Sequence, residues 1–344
     1  MNKRALLGVG LAGVALGALL RPRRSWSFRG RVVLITGGSR GLGLLLARQL
    51  AAEGARLALV ARNPDDLGRA ADELRGRGAE VLELPADVGV QAQIEAAVAT
   101  TVAHYGRLDV LINNAGVIQV GPAEHMALGD FDRALNTHFW GPLYAVRAAL
   151  PQLKRQGGGR VVNIASIAGK VAIPHLTPYS ASKFALVGLS DALRAELAKD
   201  NVRVTTVCPW LTRTGSYRNV EVKGQFEREL AWFAVGDSLP LLTQRGEDAA
   251  RDILEACRRA APRLILTPYG RAATAVDALF PQLSAAVIAG ANARLPDPKP
   301  GGSRTQKGFE SFSLAVPSIV TRLSDRAARR NNQLGVQRRH RRQS

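Results

Sequence analysis

From Arg31 onward the chain alternates short apolar runs with longer stretches whose apolar residues recur every three to four positions. The runs 31–36 (RVVLIT), 56–61, 80–85, 110–112, 160–164 and 203–207 read as strands. Between them, 42–53, 65–76, 91–105, 130–150 and 179–199 carry helical periodicity. Strands that alternate with helices of about ten or more residues need crossover connections, so a parallel sheet covered on both faces is expected. Beyond 207 the order weakens. The stretch 214–242 sets Phe226, Trp232 and Phe233 among charges and reads as a helical lid over the sheet edge. A helix over 247–260, a last strand over 263–266 and an amphipathic stretch over 272–295 follow. Residues 296–302 (PDPKPGG) look like a linker, and 296–344 reads as a basic, mostly disordered tail.

Charge changes this picture little for the body and more for the ends. The formal net charge is +19, but residues 1–31 hold seven Lys/Arg and no acid, and 296–344 hold eleven against three. A near-neutral body with basic ends does not read as a specific nucleic-acid binder. The two cysteines, Cys208 and Cys257, form no CxxC pair, so neither a disulfide framework nor a metal site is expected.

Residues 5–20 are all apolar or Gly, flanked by Lys3, Arg4, Arg21, Arg23 and Arg24. As a helix they would span roughly 24 Å, somewhat short of a ~30 Å hydrocarbon core. Three readings stay open for residues 1–28: a retained membrane-associated helix, a cleaved secretory signal, and a surface extension. The more basic C-terminal flank favours a membrane-associated protein with its catalytic domain cytoplasmic, with a soluble cytoplasmic protein as second choice.

Candidate chemistry begins at the first strand-to-helix turn, Thr36-Gly37-Gly38-Ser39-Arg40-Gly41-Leu42-Gly43. Glycines there permit positive φ and let backbone N–H groups and a helix N-terminus approach a pyrophosphate. The second strand ends in Ala61-Arg62 with no carboxylate before Asp65. An NAD site usually places an acid there for the ribose hydroxyls, whereas Arg40 and Arg62 suit a 2′-phosphate, so NADP(H) is expected over NAD. Further along, Tyr179 and Lys183 lie four apart on one helix face. A phenol with a pKa near 10 is a poor base until an ammonium beside it favours the phenolate.

With Thr36–Gly43, Asn113-Asn114-Ala115-Gly116, Ser166 and Tyr179-x₃-Lys183 in this order, the chain resembles the short-chain dehydrogenase/reductase family over about residues 30–270. The resemblance implies a single doubly wound Rossmann domain over 29–295 with a mostly parallel, seven-stranded sheet. It implies an enzyme acting on CH–OH groups with a nicotinamide dinucleotide, and a small carbonyl or alcohol substrate. By that likeness Tyr179 is the general acid/base and Lys183 lowers its pKa and holds the nicotinamide ribose. Ser166 bonds the substrate oxygen, and Asn136 holds a water linking Lys183 to solvent. Cofactor contacts are implied for Gly37, Ser39, Arg40, Gly41, Leu42, Gly43, Arg62, Asp87, Val88, Asn114, Ala115, Gly116 and Thr214. A homo-oligomer is implied through 130–150 and 179–199. Pro209-Trp210 departs from the family's Pro-Gly and adds bulk beside the nicotinamide pocket. His138 and His175 read as packing residues. The aromatic lid suggests an apolar substrate. A rival reading is a non-catalytic NADPH-sensing module tethered by its basic ends.

Overall fold

A computed structural model describes residues 26–239, 242–298, 302–313, 316–318 and 321–334. The apolar segment 5–20 and the last basic cluster, 338–342, lie outside the described residues. Seven parallel strands form the central sheet: β1 (Val32–Thr36), β2 (Arg56–Ala61), β3 (Val81–Pro85), β4 (Val110–Asn113), β5 (Gly159–Ile164), β6 (Val202–Cys208) and β7 (Arg263–Ile265). Their order is β3-β2-β1-β4-β5-β6-β7, with the reversal between β1 and β4. In such a sheet the crevice beyond the carboxyl ends of β1 and β4 is where ligands bind. The expected doubly wound Rossmann architecture with a seven-stranded sheet is therefore observed.

Helices cover both faces because the strands present apolar residues to both. On one face Leu44, Leu46 and Leu50 of α1 (Gly41–Ala52), Leu67 and Leu74 of α2 (Pro64–Arg75) and Ile253 of α8 (Gly246–Arg258) bury against Val33, Ile35, Leu57 and Leu59. On the other, Ile94 and Val98 of α3 (Gln91–Tyr105) and Val146, Ala149 and Leu153 of α5 (Gly141–Arg155) meet Val32, Leu34, Leu111 and Val161. Each fully buried Leu or Ile contributes on the order of 2 kcal/mol. Local signals set the ends. Asn63 caps α2 by accepting from Asp65 N and Asp66 N, with Pro64 at the first turn, and Gly106 closes α3 at φ 74°.

Three elements differ from expectation. The single helix expected over 130–150 is α4 (Leu128–Leu135), one π turn (Asn136–Trp140) and α5. The wide turn sits where Pro142 has no N–H to return to the preceding turn, and Gly141 N bonds Asn136 O instead. Among the described residues the lid, which follows α6 (Thr177–Leu197), is helical only in a short 3-10 turn (Ser216–Asn219) and in α7 (Phe226–Gly236). The stretch 272–295 is two helices, α9 (Pro268–Leu279) and α10 (Pro281–Asn292), bent by 119° where Pro281 starts the second. Leu279, Phe280, Leu283 and Val287 on this pair are exposed. Among the described helices no single one is long and apolar enough to cross a membrane.

The larger departure is the tail. Gln306–Lys307 forms a short strand against Glu221–Val222, and α11 (Arg322–Arg330) packs on the body. Val316 joins a cluster with Val120, Tyr217, Val222 and Leu230, while Ser324, Ala327 and Ala328 are buried. Tyr217 donates to Asp325, and Ser238 Oγ donates to Ser324 Oγ at 2.9 Å. A segment too polar to build its own core is ordered here by borrowing the core of the lid.

Candidate active site

The crevice above β1 and β4 is a cleft of about 440 Å³, within the usual size of a small-molecule site. Its floor is the glycine turn. Gly37 (φ 66°) and Gly41 (φ 56°) occupy the left-handed region that side chains disfavour. A Cβ on Gly37 would lie 2.8 Å from Ala115 Cα, and one on Gly43 would overlap the Gly37 carbonyl oxygen. Asn114 braces the turn by donating from Nδ2 to Thr36 O and Gly37 O, both at 3.1 Å, while Thr36 Oγ1 accepts from Asn114 N and Ala115 N. At the start of α1 the Gly41 amide is taken by Asn331 O, and Leu42, next along, lines the cleft beside a fixed wall.

Of the residues singled out by sequence, Gly37, Ser39, Arg40, Gly41, Leu42, Arg62, Asp87, Val88, Asn114, Ala115, Gly116, Ser166, Tyr179, Lys183 and Thr214 line this one cleft. Gly43 and Asn136 do not. Gly43 packs behind the turn, and Asn136 opens the π turn with its side chain exposed, so Thr137 reaches the cleft instead. Arg62 is mostly exposed and 3.8 Å from Asp87. Arg40 donates from Nη1 to Asn219 Oδ1 at 3.0 Å, and burial lowers its pKa against the raising influence of Asp66. Asp66, a carboxylate that sequence spacing did not flag, is also in the wall, but it is paired with Arg69.

At the other end, Ser166 leaves β5 and α6 carries Tyr179 and Lys183 on one face. Burial pushes the Tyr179 phenol above its ordinary value, opposed by the Ser166 hydroxyl. Lys183 Nζ is 5.6 Å from the Tyr179 ring centre and donates to Ile164 O at 2.9 Å. It is only 4% exposed, and burial brings its ammonium down to about 7. In the protein alone, burial governs both groups, and the expected lowering of the phenol by the ammonium is not the dominant influence. A bound dinucleotide brings several negative charges, which favour the ammonium.

The histidines are structural. His138 is fully buried; its Nε2 accepts from Val117 N at 3.1 Å, so Nδ1 carries the proton toward Ser182 Oγ at 2.8 Å. Burial, then Lys183, holds it well below the usual histidine range. His175 lies 2.9 Å from Glu229, which also accepts from Trp232 Nε1, and this pins the lid. Trp210 lines the cleft and donates to Leu242 O at 2.9 Å.

Residues not anticipated from the sequence complete the walls: Asn219 and Gln333 near the glycine turn, Lys307 beside Glu221, and Asp237 near Tyr179. Asp237 is 5% exposed, its Oδ2 has no hydrogen-bond partner, and burial raises its carboxyl well above the ordinary value despite the opposing influence of Arg213. No spacing rule points to a lone acid at the end of a lid helix. Among the described residues no group of three or more His, Cys, Asp or Glu could hold a metal.

Comparison with known proteins agrees with this geometry. A family profile described as short chain dehydrogenase matches residues 31–223. The ketoacyl reductase HetN of Nostoc is 37% identical over 187 residues, covering 54% of this chain and just under two thirds (65%) of that protein. A dehydrogenase/reductase SDR family protein 7-like of Anopheles gambiae is 33% identical over 265 residues, 75% of this chain and 82% of its own. The crystal structure of L-sorbose reductase from Gluconobacter frateurii, complexed with NADPH and L-sorbose, superposes with a TM-score of 0.64 at 26% identity over 71% of this chain and 97% of that one.

Proposed function

Because this chain belongs to the short-chain dehydrogenase family and is an oxidoreductase, we propose that it interconverts a carbonyl and an alcohol with NADP(H), using Tyr179 as the general acid/base. The observation that carries the reading is that Ser166, Tyr179 and Lys183 line the same cleft as the phosphate-binding turn. The dinucleotide, when bound, supplies or takes up the hydride. The amide of Leu42 would hold its diphosphate, Asp87 and Val88 its adenine, Asn114–Gly116 the adenosine ribose, and Thr214 the carboxamide. Arg40 and Arg62 would meet a 2′-phosphate.

In the reducing direction the Tyr179 hydroxyl gives its proton to the substrate oxygen, and in the oxidising direction the phenolate takes it back. The Ser166 hydroxyl donates to the same oxygen and fixes it beside the phenol. Lys183, charged once a polyanionic ligand is present, favours the phenolate and reaches the ribose hydroxyls. Ile173, Leu176 and Phe233 line the substrate end, which suits an apolar ketone or aldehyde. Membrane association through residues 5–20 and a homo-oligomer remain part of this proposal.

Tyr179→Phe should lower turnover at least 10³-fold, in line with loss of a general acid/base, with NADPH affinity changed less than about twofold. Turnover within tenfold of the unsubstituted enzyme would remove the tyrosine from this role. Arg40→Ala with Arg62→Ala should weaken NADPH about a hundredfold and NADH little, each charge-assisted pair contributing roughly 1.5–3 kcal/mol before solvent screening. Equal losses for both cofactors would overturn the NADP preference.

A further inference from the structure

The C-terminal segment after α11 crosses the phosphate-binding turn. Gly41 N donates to Asn331 O at 2.9 Å. Asn332, in the left-handed region at φ 55°, donates from Nδ2 to Ser39 O at 2.9 Å and to Asp66 O at 3.0 Å. Arg48 holds the segment from below through Asn331 Oδ1 and Arg330 O.

The direction of one hydrogen-bond chain there is fixed by chemistry. A guanidinium has donors only, so Arg40 must meet the oxygen of the Asn219 amide. Asn219 Nδ2 is then the donor to Gln333, at 2.7 Å to Oε1 and 2.9 Å to its backbone carbonyl. With Oε1 engaged, the remaining group of Gln333 is Nε2, a donor with no protein partner among the described residues. Gln333 is only 6% exposed, yet it lines the cleft, and a Cβ built on Gly41 would lie 2.5 Å from its Nε2. A donor on a mostly buried side chain that opens to the cleft without a protein partner, at the positive end of α1, is suited to an anionic oxygen.

We propose that Gln333 is a cofactor-binding residue whose Nε2 donates to a diphosphate oxygen of the dinucleotide, with Asn331–Gln333 forming a strap across that site. The inference rests on the dinucleotide-binding reading above and adds to it a segment remote in sequence from the Rossmann motifs. Asn219 positions Gln333 rather than touching the ligand, and Arg40 is thereby tied both to the strap and to the 2′-phosphate end.

The test is NADPH and ADP-ribose affinity of the full chain, by fluorescence and calorimetry, for Gln333→Met and Gln333→Glu. Methionine keeps the length without the donor, and glutamate keeps the acceptor toward Asn219 while adding a negative charge. The expected result is a dissociation constant about tenfold weaker for Gln333→Met and about a hundredfold weaker for Gln333→Glu. Melting temperatures of the unliganded proteins should fall by no more than about 2–4 °C, since Gln333→Met loses the bond from Asn219 to Oε1 but keeps the one to the backbone carbonyl. A Gln333→Met affinity within twofold of the unsubstituted protein would reduce the strap to a structural element. Should either variant fold poorly, amide exchange over 328–334 in the unsubstituted protein provides a second readout. Slower exchange with saturating ADP-ribose is expected, and unchanged exchange overturns the proposal. An unsubstituted protein that binds neither NADPH nor NADH would instead sink the underlying reading, a distinct outcome.

Discussion

Replacing Lys183 by Met should make the unliganded protein more stable at neutral pH, although it removes a side chain assigned to the site. The ammonium is 4% exposed and makes one hydrogen bond, to Ile164 O at 2.9 Å. Burial lowers its pKa from 10.5 to about 7, which corresponds to an upper bound of about 5 kcal/mol of destabilisation at pH 7. Losing the bond to Ile164 O offsets on the order of 1 kcal/mol, with a further part lost to imperfect repacking. A net gain of about 2–4 kcal/mol corresponds to a melting temperature higher by roughly 5–10 °C for a domain of this size. The pH dependence carries the sign. Between pH 7 and 10.5 the unfolded chain holds a proton that the folded one has released, so the stability of the unsubstituted protein rises with pH across that window. The Met variant lacks that rise, so its advantage should fall with pH, pass through zero below pH 10.5 and give way there to a deficit on the order of 1 kcal/mol from the lost bond to Ile164 O. Urea unfolding followed by circular dichroism at pH 6.5, 8 and 9.5 measures it, and groups common to both proteins cancel in the difference. Parallel pH profiles, or a Met variant less stable at pH 7, would refute burial of the ammonium as the governing influence.

Asp237→Asn should act with the opposite pH sign. A carboxyl raised well above 3.8 makes the folded state hold a proton that the unfolded state gives up, so it subtracts stability as pH rises from about 4. The Asn variant should be the more stable at pH 8 and equal or less so at pH 4; coincident thermal unfolding profiles would refute this. Gly43→Ala forces a Cβ onto the Gly37 carbonyl, and should destabilise the fold by about 1–3 kcal/mol and weaken NADPH at least tenfold. An alanine variant that binds NADPH normally in a fluorescence titration would mean the turn can yield there.

The sheet was readable because parallel strands covered on both faces need apolar residues in succession. VVLIT at Val32–Thr36 and RLALVA at Arg56–Ala61 therefore stand out from their flanks. The bend between α9 and α10 carried a signal in Pro281 that the amphipathic pattern masked. The tail carried almost none. RLSDRAARR in α11 is short of large apolar residues, and its fit depends on smallness: a Cβ on Gly215 would overlap Ala328 Cα. Hydropathy does not register that kind of complementarity. Within the site, Ser166, Tyr179 and Lys183 were legible by order and spacing because one strand end and one helix face present them. Asn219, Asp237 and Gln333 come together only through tertiary packing of lid and tail, and Asn136 turned outward where Pro142 widened the helix.

The bond from Asn332 to Ser39 joins positions 293 apart in the chain. Translation delivers the glycine turn early and its outer rim very late. During synthesis, with domains folding from the N-terminal side, the sheet can assemble while one side of its nucleotide crevice still lacks the residues that frame it. Ribosome-bound chains stopped before residue 320 should thus have a folded sheet with a crevice open on that flank.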